Sequence, residues 1–177
     1  MEFDAEFIES VVNRTYPGLT MYVRDANLPD GISDKYTKGM IIREKGFCDA
    51  SSRVMGMVTT HRYGILSNHM VDLSQFEHGT HWGLHVAKSD SRFKVLSNYE
   101  FNRKKLILLL HLPDDESWKI FIEIELNIDD QLVENCIEKF KNKCEAEAVP
   151  ELTKNDWLER CSFPIGMDER GNLFDVE

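Results

Sequence analysis

The sequence predicts an α+β protein: an antiparallel β-sheet arranged as a meander, with an N-terminal helix and C-terminal helices packed on one face. Three observations lead to this class. Apolar residues recur at helical spacing near the N-terminus, short alternating runs follow through the middle of the chain, and a second helical stripe begins near residue 127. The length of 177 residues fits a single domain, residues 1–177.

The first half of the chain opens with a helix. Its apolar stripe runs from Phe3 to Val12, and Pro17-Gly18 ends it. Short extended runs between turn residues then predict strands over residues 19–24, 39–43 and 53–60. Residues 46–52 are polar and predict a connector between the last two strands.

The second half has sharper patterns. Residues 81–86 alternate with a period of two and predict a strand, and Phe93 and Val95 mark another. Residues 106–110 are apolar throughout, which predicts a central strand covered on both faces. Residues 118–126 show the cleanest alternation in the chain and predict a further strand. A helix then follows, capped by Asn127 or an adjacent Asp, and Thr153 can cap a short last helix.

Composition and charge exclude several classes. Hydrophobic residues make up 42% of the chain, which excludes an intrinsically disordered protein. The acidic start lacks the pattern of a secretory signal, and no apolar run is long enough to cross a membrane. Four scattered cysteines without a C-x-x-C pair are typical of reduced, buried thiols. We therefore expect a cytoplasmic protein without a membrane partner.

The acidic charge is concentrated in the last third of the chain. Residues 112–177 carry 18 acidic and 7 basic side chains, a net charge of −11 within a total of −10. This excess disfavours nucleic acid and favours a basic protein partner. The candidate partner-binding residues lie at the ends of predicted elements; they are Asp114, Asp115, Glu116, Asp129 and Asp130.

Small acidic α+β proteins of this kind resemble the immunity proteins that neutralise basic nuclease toxins. The likeness is one of type, because no family motif falls on particular positions of this sequence. It implies a protein-binding module, most concretely an inhibitor of a basic toxin or nuclease, which acts by binding its partner rather than as an enzyme.

The histidines support an alternative function. His81 and His85 share one face of a predicted strand, and His61 can approach from a neighbouring strand, which would suit a metal-independent phosphoesterase or another small hydrolase. Along a strand His81 and His85 would lie roughly 13 Å apart, too far to share an ion. The sequence therefore predicts no metal site. It also contains no nucleotide-binding or nucleophile motif, so we expect no cofactor.

Overall fold

The computed structural model describes residues 2–177, and its centre is a mixed, mostly antiparallel sheet of eight strands. The strands are β1 (Thr20–Ala26), β2 (Ile41–Glu44), β3 (Cys48–Ser51), β4 (His61–Ser67), β5 (Val71–Asp72), β6 (Leu84–Ala87), β7 (Ser91–Phe101) and β8 (Lys104–His111). The α-helices are α1 (Ala5–Thr15), α2 (Asn127–Lys143) and α3 (Asn155–Arg160). The predicted combination of helices with a largely antiparallel sheet is confirmed at this level.

The strand order is β2-β7-β8-β4-β1-β3-β6-β5, which differs from a meander. Most neighbours pair antiparallel, but β4 and β8 pair parallel, with Leu66 opposite Leu110. A parallel pair needs a long connection, and here the chain between its members contains β5, β6 and β7. As a result, the carboxyl ends of β4 and β8 lie at the same edge of the sheet.

Strand β8 is the most deeply buried part of the sheet, as its apolar sequence predicts. The side chains of residues 106–110 are 0% exposed. Leu108 and Leu110 pack in a cluster with Val11 of α1 and Cys136 of α2. Ile107 belongs to a second cluster, which includes segments of irregular chain. Apolar atoms therefore cover this strand on both faces.

Residues 118–126 do not form a strand. Glu116–Ile122 is a 3₁₀ helix, and the Asp115 carboxylate caps it by accepting a hydrogen bond from the Ser117 amide at 2.9 Å. Trp118 and Phe121 are buried, while Ile122 is 58% exposed. Side chains three residues apart share a face of a 3₁₀ helix, so burial here follows a period of three despite the alternating sequence.

The strand boundaries between residues 46 and 86 also differ from the prediction. The predicted connector contains β3, whereas residues 53–60 form only an isolated bridge, between Gly56 and Ala148. Strand β6 begins at Leu84, because His81 and Gly83 have positive φ angles of 52° and 65°, outside the extended range. The well-paired strand β4 was missed by the sequence analysis.

The helix caps follow the sequence only in part. Asp4 caps α1 by accepting a hydrogen bond from the Phe7 amide at 2.7 Å. Leu126 occupies the N-cap position of α2, so the predicted cap by Asn127 or an Asp is wrong. Lys154 occupies that position in α3, and the Thr153 hydroxyl instead donates to the Pro150 carbonyl. Within residues 2–177, no helix combines the length and apolar character that crossing a bilayer needs.

Candidate functional site

A cleft of about 630 Å³ lies beside β1, β2 and the loop after α3. This volume is in the range of small-molecule sites, roughly 300–1,000 Å³. Three arginines, three aromatic rings and several carboxylates line it. These residues include Arg24, Arg160, Arg170, Phe47, Phe163, Phe174, Glu44, Asp49 and Asp168.

Arg24 is the unusual member of this set, because it is a buried cation without a carboxylate partner. The residue is only 6% exposed. Its Nη1 donates to the Asp49 carbonyl at 3.1 Å, and its Nη2 donates to the Phe163 carbonyl at 3.0 Å. Its Nε is buried and has no hydrogen-bond partner. A buried charge of this kind is costly unless an anion compensates it.

The nearby acid Asp49 does not form an ion pair with Arg24, because its carboxylate pairs with Arg160 instead. Asp49 Oδ2 pairs with Arg160 Nη1 at 2.9 Å. The guanidinium of Arg160 also lies over the Trp82 ring, 5.1 Å from its centroid. The guanidinium groups of Arg24 and Arg160 therefore both line the cleft, Arg24 at its buried wall and Arg160, with a side chain 41% exposed, at its rim.

The rim carries large aromatic side chains that are open to solvent. Phe47 is 71% exposed and Phe163 is 59% exposed. Exposed single apolar residues are common, but these two lie at the same cleft. Flat rings beside guanidinium groups can bind a ligand that combines an aromatic ring with a phosphate.

A hydrogen-bond network holds the wall that contains Phe163. The Tyr36 hydroxyl donates to the Ile165 carbonyl at 2.7 Å and lies 2.6 Å from the Tyr63 hydroxyl. The Glu44 carboxylate accepts from the Gly166 amide at 2.8 Å. Gly166 has a φ of +79°, and a Cβ there would lie 2.9 Å from Ile42 Cβ. The wall is thus attached to β2 and β4 through buried groups.

A second, more apolar pocket of about 460 Å³ adjoins the cleft. Phe47, Asp49 and Arg160 line both spaces. Val71, Leu73, Leu84 and Val86 supply further apolar lining of the second pocket, and Lys88 also lines it. The two adjoining compartments can hold the two ends of an elongated ligand.

The structure separates the candidate histidines. His61 lies on β4 and His85 on β6, with β1 and β3 between them. His81 lies in the loop before β6, and His85 directs Nε2 towards Asp72 at 3.6 Å. Burial lowers the pKa of His61, and the positive charge of Lys105 lowers it further. These three residues are not brought together into one acid–base site.

Two of the candidate acidic residues, Asp115 and Asp129, contact residues at the C-terminal end of α1. Asp115 pairs with Arg14 at 2.9 Å, and this contact, together with Ser117, lowers the pKa of Asp115 to about 2. Asp129 is buried and accepts a hydrogen bond from the Tyr16 hydroxyl at 2.7 Å.

The remaining three acidic residues also have cationic neighbours. Glu116 pairs with Lys119 at 2.6 Å, Asp130 lies 3.6 Å from Lys38, and Asp114 lies 3.8 Å from Lys88.

Sequence analysis missed Arg24 as a candidate, although β1 contains a usable signal. Tyr22, Arg24 and Ala26 share one face of the strand, and Val23 and Asp25 share the other. Each face therefore carries a charge in the middle of a buried strand. Asp25 has Arg62 as its partner, and Arg24 is the residue left without one.

No protein-family model matches this chain, and no curated protein matches its sequence. Solved structures resemble parts of its fold. The type III effector XopAI from Xanthomonas axonopodis pv. citri is 17% identical, with a TM-score of 0.47 over 55% of this chain. The ADP-ribosyltransferase HopU1 of Pseudomonas syringae pv. Tomato is 13% identical, with a TM-score of 0.46 over 53% of this chain.

Exoenzyme S from Pseudomonas aeruginosa, solved with human 14-3-3 protein beta and carba-NAD, is 11% identical, with a TM-score of 0.44 over 75% of this chain. This chain spans 43% of the XopAI chain, 46% of HopU1 and 70% of Exoenzyme S.

The interpretation of this chain as an immunity-type inhibitor is wrong. The solved structures that resemble its fold are those of effectors and ADP-ribosyltransferases, whereas that interpretation placed it among the inhibitors of toxins. The alternative, a phosphoesterase built on His81, His85 and His61, is also abandoned because these residues lie on separated elements.

Proposed function

We propose that this chain binds a phosphate-bearing nucleotide in the cleft beside Arg24, with a dinucleotide as the preferred ligand. The observation that carries the proposal is the buried guanidinium of Arg24, which lines the cleft, has no carboxylate partner and leaves Nε without an acceptor. A phosphate oxygen supplies both the missing acceptor and the missing negative charge.

The rest of the cleft supports a nucleotide over a simple anion. Phe47 and Phe163 offer exposed rings for stacking, and Arg160 adds a second guanidinium. The adjoining apolar pocket gives room for a second ring on the far side of Phe47, Asp49 and Arg160. A diphosphate between two ring systems matches this order of apolar, charged and aromatic surfaces.

NAD is the first dinucleotide to test. Exoenzyme S was solved with the analogue carba-NAD, and HopU1 is an ADP-ribosyltransferase. Both statements concern those proteins, and the proposal for this chain rests on its own cleft. Release of nicotinamide is measured in the same samples, so that binding and cleavage are reported separately.

We also infer that the three helices cover the face of the sheet opposite Arg24. Val23 pairs with Gly64 of β4 and with Ser51 of β3, and Ser51 pairs with Leu84. Directly paired residues point to the same side of a sheet. The cluster of α3 contains Leu84, and the cluster of α1 and α2 contains Leu66, which lies two residues from Gly64. Arg24 follows Val23 and points to the other side.

A protein partner for the acidic residues stays a prediction, as does the cytoplasmic location. Exoenzyme S was solved with a protein partner, which is a fact about that protein. In this chain Arg14 and Lys119 already pair with Asp115 and Glu116. A partner surface here has to include these basic side chains as well as the acids.

Isothermal titration with NAD tests the nucleotide proposal. Arg24→Lys keeps the charge but loses the fork of donors, and we expect NAD binding at least about tenfold weaker. Phe47→Ala removes a stacking ring, and we expect it to lower the affinity for NAD about fivefold or more. Phe76→Ala is the matched control, because Phe76 is 67% exposed and does not line the cleft.

The proposal is wrong if the unmodified chain does not bind NAD, ADP-ribose or ATP at millimolar concentration. It is also wrong if Phe76→Ala weakens binding as much as Phe47→Ala does. Because Arg24 also holds two backbone carbonyls, circular dichroism and urea unfolding of Arg24→Lys are measured alongside. Phe47 makes the test independent of that variant, since its exposed side chain contributes little to folding.

A further inference from the structure

His69, His111 and Asp114 bring their ligand atoms together at the edge of the sheet where the parallel strands β4 and β8 end. His111 is the last residue of β8, and His69 follows β4 by two residues. Asp114 lies in the turn that Pro113 begins. One ligand atom from each of these residues lies within 4.8 Å of the others. Among residues 2–177, no other group of three such side chains converges in this way.

The tautomer of His69 follows from its neighbour Asn68. The Asn68 Nδ2 group donates to the carbonyls of Arg14, Thr15 and Pro17, at 2.8, 3.2 and 3.0 Å. This orientation leaves Oδ1 as the atom that faces His69 Nδ1 at 3.0 Å. Since Oδ1 only accepts hydrogen bonds, Nδ1 carries the proton and Nε2 presents a lone pair.

His69 Nε2 lies beside the carboxylate of Asp114. His69 Nε2 is buried and has no hydrogen-bond partner. It lies 3.8 Å from Asp114 Oδ1, and His111 Nε2 lies 4.0 Å from the same oxygen. Three potential ligand atoms therefore lie around one point, and a bound cation there would compensate the carboxylate and engage the buried imidazole nitrogens.

His111 is prepared for the same role by its other nitrogen. Its Nδ1 lies 2.7 Å from the Ser67 hydroxyl, which can accept a hydrogen bond from Nδ1–H. The Ser91 hydroxyl, 3.3 Å from Nε2, already donates to the Lys88 carbonyl. With the proton on Nδ1, Nε2 is available as a ligand, and the Ser67 hydroxyl orients the ring as hydrogen-bond acceptors do in many metal sites.

We propose that His69, His111 and Asp114 bind one divalent transition-metal ion of the zinc class, through the two Nε2 atoms and a carboxylate oxygen. Two histidines and a carboxylate are a common zinc set that leaves a fourth position open. At bond lengths of about 2.0–2.1 Å, tetrahedral ligands lie about 3.3 Å apart. The His69 and His111 rings stack with their centroids 3.8 Å apart and an interplanar angle of 18°, so binding requires one ring to tilt until both Nε2 lone pairs meet at the ion. The Asp114 side chain, 43% exposed, can move to close the gap on its side.

The site is separate from the cleft of Arg24, because none of its residues lines that cleft. Its open side faces a groove lined by Arg14, Thr15 and Pro113. Lys88 Nζ lies 3.8 Å from Asp114 Oδ2 and is 67% exposed, so it can move away from the ion. The metal proposal therefore does not depend on nucleotide binding.

Zinc titration of the chain without a histidine tag, stripped with EDTA, tests the site. We expect one equivalent of Zn²⁺ to bind, and Co²⁺ to give the visible absorption of a tetrahedral complex. We expect His69→Ala and Asp114→Asn each to lower the affinity for Zn²⁺ at least about tenfold. His78→Ala is the matched control, because His78 is exposed and outside the cluster. Zinc also raises the unfolding temperature of the unmodified chain but not that of His69→Ala.

Three results overturn the proposal. The first is an unmodified chain that retains no zinc after desalting at micromolar concentration. The second is a His69→Ala or Asp114→Asn variant that binds zinc as tightly as the unmodified chain. The third is a His78→Ala variant that loses as much affinity as His69→Ala. The buried His111 is left unchanged, so that loss of folding does not imitate loss of the ion.

Discussion

Asp25 and Arg62 form a bidentate ion pair across β1 and β4, at 2.7 Å for Nε to Oδ1 and 2.9 Å for Nη2 to Oδ2. Both side chains are almost fully buried. Arg62 also donates to the Met55 and Gly56 carbonyls, at 2.7 and 3.2 Å. The pair therefore joins two central strands to the irregular segment of residues 53–60.

Asp25→Ala is expected to lower the free energy of unfolding by about 3–5 kcal/mol, because it leaves the Arg62 guanidinium buried without its counter-ion. Urea denaturation measures this change. Asp34→Ala is the control, since the Asp34 side chain is 73% exposed in its pair with Lys105 and its loss should cost about 1 kcal/mol or less. Equal losses of unfolding free energy in the two variants would contradict the role of Asp25 as the buried counter-ion of Arg62.

Gly56→Ala is expected to destabilise the chain by roughly 1–3 kcal/mol or more, because overpacking forces the backbone apart. A Cβ at Gly56 would lie 1.8 Å from the Ala146 carbonyl oxygen, beyond the C-terminal end of α2. Gly46→Ala is the control, because a Cβ there meets only Glu44 Oε1, at 3.8 Å. If urea unfolding shows the two variants equally stable, the close approach at Gly56 is wrong.

Stability is expected to fall as the pH rises from about 9 to about 12, because buried thiols ionise only after unfolding. Burial raises the pKa of Cys48 and Cys161 from 9.0 to about 12. A group whose pKa is raised by folding stabilises the protein fully below its unfolded pKa, and this contribution is lost as the pH rises through its folded pKa.

Each thiol contributes a slope of about 1.4 kcal/mol per pH unit within that range. Cys161→Ala removes one of these slopes. The free energy of unfolding that this variant lacks relative to the unmodified chain should therefore become smaller between pH 9 and pH 12. Urea unfolding across this range measures the effect. A deficit that stays constant would show that the Cys161 thiol does not titrate as its burial requires.

Local patterns predicted those parts of the fold in which the spacing of apolar residues matches the secondary structure that the segment adopts. The stripe of α1, the apolar run of β8 and the helix after residue 127 were recognised because their burial follows their sequence spacing. Residues 118–126 show the opposite case. Their alternation suits a strand, but the cap at Asp115 and the buried Trp118 and Phe121 produce a 3₁₀ helix.

Strands β3 and β4 were unpredictable for a related reason. β3 is short and combines the polar Asp49 and Ser51 with the small Cys48 and Ala50, and Gly64 and Arg62 interrupt the apolar pattern of β4. Both strands exist because neighbours on either side satisfy their backbone groups, and Arg62 is acceptable there only because Asp25 lies opposite. Such pairings join residues far apart in the chain, which no local window contains.

The sequence alone determined the coarse fold class, the acidic net charge and the position of the most buried strand, because each depends on composition or short-range spacing. The tertiary structure decided which functional side chains come together and which remain apart. It left Arg24 without a counter-ion at a cleft, separated His61 from His85, and joined His69 to His111 by pairing β4 and β8 in parallel. Convergence of distant side chains depends on strand order, and strand order is set by long-range packing.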